Sequence, residues 1–172
     1  MHDLLTTRRA ELAAFGAHFD YDVRYLERLM DTAPDAYLAF AAAQPLGHRR
    51  EGLTPDAHAV ACTAVMLHDD CGACAQLNLR MAVEAGVDRQ LLQTMLDHPE
   101  DLPAPLHDVF EHARQVVRGS DPDPERVGRL REQLGAAAFG ELAAAITGAR
   151  LYPTMKRALG TTTTCRRPTL DF

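Results

Sequence analysis

Runs rich in alanine, leucine and arginine fill this sequence, and no stretch alternates valine, isoleucine or aromatic residues as a half-buried strand would. A chain patterned in this way buries its apolar positions by packing helix on helix, which predicts an all-α fold, a helical bundle. Helices are expected near 3–15, 21–31, 34–43, 54–68, 70–85, 88–97, 103–118, 123–133 and 136–158. The punctuation agrees with this division. Thr54 followed by Pro55 is an N-cap with proline at the first helical position, and Asp35 lies just inside a start at Pro34. Gly86 closes one helix and Asp88 caps the next, while Gly119 with DPDP ends the segment before the last two helices.

With 172 residues, 47% of them hydrophobic, the chain is large enough for one core, and residues 1–172 read as a single domain centred on about 54–98. The connections at 44–53 and 97–103 are too short to be interdomain linkers, and TTTT at 161–164 is the only low-complexity stretch. Acidic residues outnumber basic ones by 24 to 18, a net charge of −6 that disfavours nucleic acid and leaves no basic patch for a membrane. The opening MHDLLTTRRAELAAF lacks a signal-peptide core and no apolar run reaches membrane-spanning length, so a cytoplasmic protein is expected. Alanine-rich helices allow close approach between copies, and a homo-oligomer is expected.

Chemistry concentrates in HDDCGACAQLN, residues 68–78, where Cys71 and Cys74 stand three apart at a helix start. In a reducing compartment four cysteines are not a structural disulfide framework, which directs C-x-x-C toward redox chemistry or a metal. Sulfurs three apart on a first turn come within bonding range, and a helix N-terminus favours a thiolate. Asp69 and Asp70 oppose this unless they turn away to cap the helix. Cys71, Cys74, Asn78, Met81 and Ala85 share one helical face, read as pointing inward against Val60, Ala64 and Leu67 of the preceding helix. Inert buried thiols are the plain alternative.

His68, Cys71 and Cys74 also form H-x-x-C-x-x-C, but a closed zinc site needs a fourth ligand and no second C-x-x-C exists, so no metal and no cofactor is expected. His107, Glu111 and His112 read as scattered side chains of a later helix. As proton acceptor for the thiols the leading candidate is His68, three residues before Cys71 and of a residue type that titrates near neutrality; His58 is a second. Glu84 and Arg80 read as surface residues, Cys62 as a core thiol, and Cys165 as an inert or second thiol on the tail.

From about Thr54 to His98, the helix followed by DCGAC and then by AVEAGVD and LLQTML resembles the carboxymuconolactone decarboxylase-like family, which includes alkylhydroperoxidase D. The tail YPTMKRALG followed by a cysteine is similar to members of the same group. The resemblance implies an alkylhydroperoxidase D-like helical bundle, assembly into trimers or hexamers, and a C-x-x-C pair that reduces hydroperoxides. It puts Cys74 in the place of the thiol that becomes a sulfenic acid and Cys71 in that of its resolving partner. The peroxidase motif of that family, E-x11-C-x-x-C-x-x-x-H, is incomplete: Asn78 stands where it has histidine and Ala59 where it has glutamate. Asparagine holds a hydrogen bond but is no base near neutral pH.

Two expectations follow. The first is a thiol-dependent oxidoreductase with Cys71, Cys74 and His68 as catalytic residues, acting on a small-molecule hydroperoxide or other small organic substrate and recharged by an external dithiol reductant. The second is a non-redox protein of the same fold that acts on or binds a small organic molecule.

Overall fold

The structure, a computed structural model, describes residues 2–161 and 167–172. Cys165 and most of the TTTT stretch lie outside the described residues. Among those residues the chain is helical throughout, without a strand: α1 (His2–Phe19), α2 (Arg24–Thr32), α3 (Pro34–Ala43), α4 (Pro55–His68), α5 (Gly72–Glu84), α6 (Arg89–Asp97), α7 (Ala104–Arg118) and α8 (Pro124–Ala158). Two short 3-10 turns, Gln44–Gly47 and Pro99–Asp101, complete the path. None of these helices is long and apolar enough to cross a membrane.

Local chemistry sets most boundaries. The Thr54 side chain accepts from the Ala57 amide at 3.2 Å with Pro55 next, Asp88 accepts from the Gln90 amide at 2.9 Å, and Asp123 from that of Glu125 at 3.0 Å ahead of Pro124. Gly119 ends α7 in the left-handed conformation with φ 75°. Three boundaries differ clearly from expectation. Helix α1 runs on to Phe19, because Gly16 is a close-packing glycine rather than a stop: a Cβ there would lie 2.9 Å from the Tyr21 carbonyl oxygen. That packing holds the 20–23 turn against α1 and delays α2 to Arg24, while Asp20 turns the chain with φ 47°. The expected break between the last two helices is a kink inside α8, where Gly135 takes φ 78° and ψ 164°.

Helix α4 is the axis of the main core. Ala57 and every residue from Ala59 to Met66 are buried, and α5, α7 and α8 pack round it, which explains why its sequence is apolar on all sides rather than striped. A second apolar cluster joins Tyr21, Val23, Tyr25, Leu26, Leu29, Met30, Tyr37 and Phe40 from the α1–α3 region, and Tyr152 of α8 packs against both clusters. The expected inward face of α5 holds only in part. Cys74, Asn78, Leu79 and Ala82 are buried, whereas Met81 and Ala85 are exposed because α5 rises past α4 to the rim of a cavity.

Candidate active site

The α4–α5 connection delivers the thiols. The Asp69 carboxylate, buried, lies 3.5 Å from the Arg150 guanidinium, and Arg157 donates to the Asp69 carbonyl. Asp70 then turns the chain through the left-handed region with φ 50°, a conformation aspartate tolerates better than most residues. Asp69 is thus committed to arginine contacts and Asp70 to the turn of the loop. Cys71 becomes the N-cap residue of α5 and Cys74 its third helical residue, with no side-chain oxygen on the cap.

Cys71 and Cys74 are buried and unbridged. The Cys71 thiol is held below the ordinary thiol range, chiefly by the hydrogen bond from the Cys74 thiol; burial opposes this, while the Cys74 backbone amide, Lys156 and Arg157 act in the same direction as the bond. Cys74 is pushed up, first by that shared bond and then by burial. One hydrogen bond between the two thiols thus lowers Cys71 and raises Cys74, which favours Cys71 as the thiolate of the pair.

One side chain reaches Cys74 and two more stand behind it. The Tyr21 hydroxyl lies 3.8 Å from its sulfur and 3.3 Å from the Tyr25 hydroxyl, and burial raises the pKa of both phenols, so they stay protonated. Lys156, buried near the end of α8, places its Nζ 4.3 Å from the centroid of the Tyr21 ring and 4.9 Å from that of Tyr25. None of these three stood out in the sequence, because Tyr21 and Tyr25 read as helix core and Lys156 as one cation among 18. The signal that was present is composition: Lys156 is the only lysine, every other basic residue being arginine.

Cys74, but not Cys71, opens on a cavity of about 430 Å³. Its wall is mainly apolar, with Leu12, Phe15, Met66 and Leu77, and the tyrosines 21, 37 and 152 supply polar tips. Cys62 and His58 share this wall. Burial raises the Cys62 thiol to about 12 and lowers His58, whose Nε2–H donates to the Gly47 carbonyl at 2.8 Å. His58 is therefore a neutral wall residue tied to the turn before α4.

Positions 59 and 78 do meet across the α4–α5 contact, but as a structural pair. The Asn78 amide donates to the Ala59 carbonyl at 3.2 Å and to the Thr63 hydroxyl at 2.5 Å, with all three residues buried. His68 is exposed at the C-terminus of α4, and the groups acting on the thiols come instead from the 21–25 segment and α8. Glu84 pairs with His18 at 2.6 Å, and Arg80 binds the carbonyls and carboxylate of the α1–α2 turn. Glu111 pairs with Arg114 at 2.7 Å and His112 packs by Phe139. Among the described residues no three histidine, cysteine or acidic side chains come together as metal ligands would.

Fold and site define a class: an all-helical protein with a helix-capping dithiol beside an apolar cavity. No protein-family model, curated protein or solved structure matches the chain.

Proposed function

We propose that the protein is a thiol-dependent oxidoreductase that cycles the Cys71–Cys74 pair between dithiol and disulfide. The observation that carries the reading is a pair of buried, unbridged cysteines three residues apart at a helix start, one of which faces a cavity of about 430 Å³.

The geometry supports a mechanism in which Cys71 does the proton work that Asn78 and Ala59 do not. A hydroperoxide in the cavity meets Cys74, whose proton passes along the shared bond to the Cys71 thiolate. The Cys74 thiolate attacks the terminal peroxide oxygen, the O–O bond breaks, and the leaving alkoxide takes the proton back from Cys71, with the Tyr21 hydroxyl donating to the developing charge. Cys71, a thiolate again, attacks the Cys74 sulfenic acid; the disulfide forms, and the departing hydroxide leaves as water with one proton from solvent. The hydroperoxide has gained two electrons, and an external dithiol returns them by exchange. His68 has no part in this route.

The test is to treat the reduced protein with one equivalent of cumene hydroperoxide, count free thiols and locate the bridge by mass spectrometry. Loss of two thiols in a Cys71–Cys74 disulfide is expected, with a trapped sulfenic acid on Cys74 in Cys71→Ser that forms about 10²-fold or more slowly than in the wild type. Full thiol retention would overturn the reading.

A second reading, a non-redox protein that binds or transforms a small organic molecule, is favoured by the mainly apolar cavity and by the locked Asn78–Ala59 pair. Either reading carries assembly into a homo-oligomer, which the alanine-rich helices favour by allowing close approach between copies. Sedimentation at the mass of one chain would count against assembly.

A further inference from the structure

The chain uses one lysine against seventeen arginines, and that lysine is buried beside the thiols. Ammonium groups are rarely buried without a counter-charge, since desolvation of an unpaired ion is costly. Lys156 stands over the faces of Tyr21 and Tyr25, whose hydroxyls are neutral and offer only their ring quadrupoles. The carboxylate it acts on, Asp22, is already bound in a fork by Arg24 through Nε at 2.9 Å and a terminal nitrogen at 2.6 Å. The ring that the ammonium faces leads to the thiols: the Tyr21 hydroxyl lies 3.8 Å from the Cys74 sulfur, and a thiolate on the Cys71–Cys74 pair, on which Lys156 acts and on whose Cys71 member Arg157 acts as well, would balance the ammonium.

We propose that Lys156 is the positioning cation of the Cys71–Cys74 pair, stabilising its dithiol form so that the disulfide is a ready electron acceptor. This deepens the redox reading above and rests on it. The physical reason is that oxidation removes the charge Lys156 faces. A disulfide is neutral, so a buried ammonium balanced in the reduced protein stands unpaired in the oxidised one, and reduction is favoured by the restored attraction. A disulfide whose reduced form is stabilised through its thiolate is an oxidising one. A guanidinium would serve less well here, because its planar fork favours bidentate partners, whereas a compact ammonium suits a place over the faces of two rings.

The relevant equilibrium is protein disulfide plus two glutathione thiols giving protein thiolate, protein thiol, glutathione disulfide and one proton. Two electrons pass to the protein, one proton stays on Cys74 and one is released. Wild type, Lys156→Met, Lys156→Gln and Lys156→Arg are each equilibrated in glutathione buffers at pH 7, and the thiols are trapped by alkylation and weighed. In the same proteins, thiolate absorbance near 240 nm is titrated against pH.

Both neutral variants are expected to lower the equilibrium constant for reduction by about tenfold, the factor that corresponds to one pKa unit. Their thiolate inflection should move up by the same factor, and Lys156→Arg should recover part of each change. Methionine and glutamine differ in polarity but not in charge, so one of them folding is enough for the comparison. Equilibrium constants in the neutral variants within twofold of wild type would overturn the proposal, as would an arginine variant shifted as far as they are. A wild type that forms no Cys71–Cys74 disulfide at any glutathione ratio would overturn the redox reading and this inference with it, whereas a disulfide indifferent to Lys156 would overturn the inference alone.

Discussion

At the scale of single residues, one shared hydrogen bond shifts the two thiols in opposite directions. The folded-state pKa of Cys71 is lowered, so Cys71 contributes stability that is fully present above its unfolded value, about 8.5, and is lost as pH falls through the lowered one. Cys74 is raised and acts in the opposite sense: its contribution is present below the unfolded value and is lost as pH rises above it. The stability of the reduced protein should therefore climb through the interval below about pH 8.5 and fall above it. Urea midpoints across pH, taken as differences from Cys71→Ser, check the rising limb, although the same variant also removes the bond that raises Cys74; a rising limb that survives in Cys71→Ser would contradict the assignment. Asn78 has a different task. Replacing it by alanine strands the Ala59 carbonyl and the Thr63 hydroxyl inside the α4–α5 contact, and should cost about 1–3 kcal/mol in denaturant unfolding while leaving the thiolate absorbance in place. Loss of the thiolate signal in that variant would instead tie Asn78 to the chemistry.

At the scale of elements, two glycines of α8 illustrate two kinds of constraint. The Gln44–Gly47 turn rests directly on α8 at Gly148, where an added Cβ would meet the Gly47 nitrogen at 2.1 Å and its Cα at 2.4 Å. Both are backbone atoms, so the turn itself must move, and with it the Gly47 carbonyl that anchors His58 in the cavity wall. Gly148→Ala should destabilise by about 1–3 kcal/mol and change binding of an apolar dye in the cavity; unchanged melting would mean the turn shifts freely. At Gly135 a side chain would meet nothing outside its own stretch of helix, yet the φ of 78° with ψ of 164° belongs almost to glycine alone. Alanine there should cost about 1–3 kcal/mol through the backbone, with the dye site unaltered. These helix boundaries and caps were the most legible part of the sequence, because Thr54–Pro55, Asp88 and Asp123–Pro124 act through atoms a few residues away. The run-on of α1 through Gly16 was not legible, since its cause is the 21–23 segment folding back on it.

At the scale of the whole molecule, the last described residues tie α5 to α6. Arg89 donates to the carbonyls of Leu170 and Phe172 at 2.9 Å each, Arg80 and Arg89 both stack on the Phe172 ring, and Gln76 exchanges two 2.8 Å hydrogen bonds with the Thr169 backbone. Arg89→Ala should speed amide exchange in residues 169–172 by about tenfold or more, a loss of roughly 1.4 kcal/mol in local opening, with α4 still protected; uniform loosening of α4 as well would show that the tail is part of the core. Placing this tail, like placing the site, required the tertiary structure. The sequence by itself determined the helical class, most helix ends and the pairing of Cys71 with Cys74, because propensity, capping and an i, i+3 spacing are properties of neighbouring residues. Only the tertiary structure decided what surrounds the sulfurs, since Tyr21 and Tyr25 arrive from about fifty residues before Cys74 and Lys156 from about eighty after it. Charge acts through space with no memory of chain order, so the groups that govern a buried thiol are those the fold brings near it, whatever their separation along the chain.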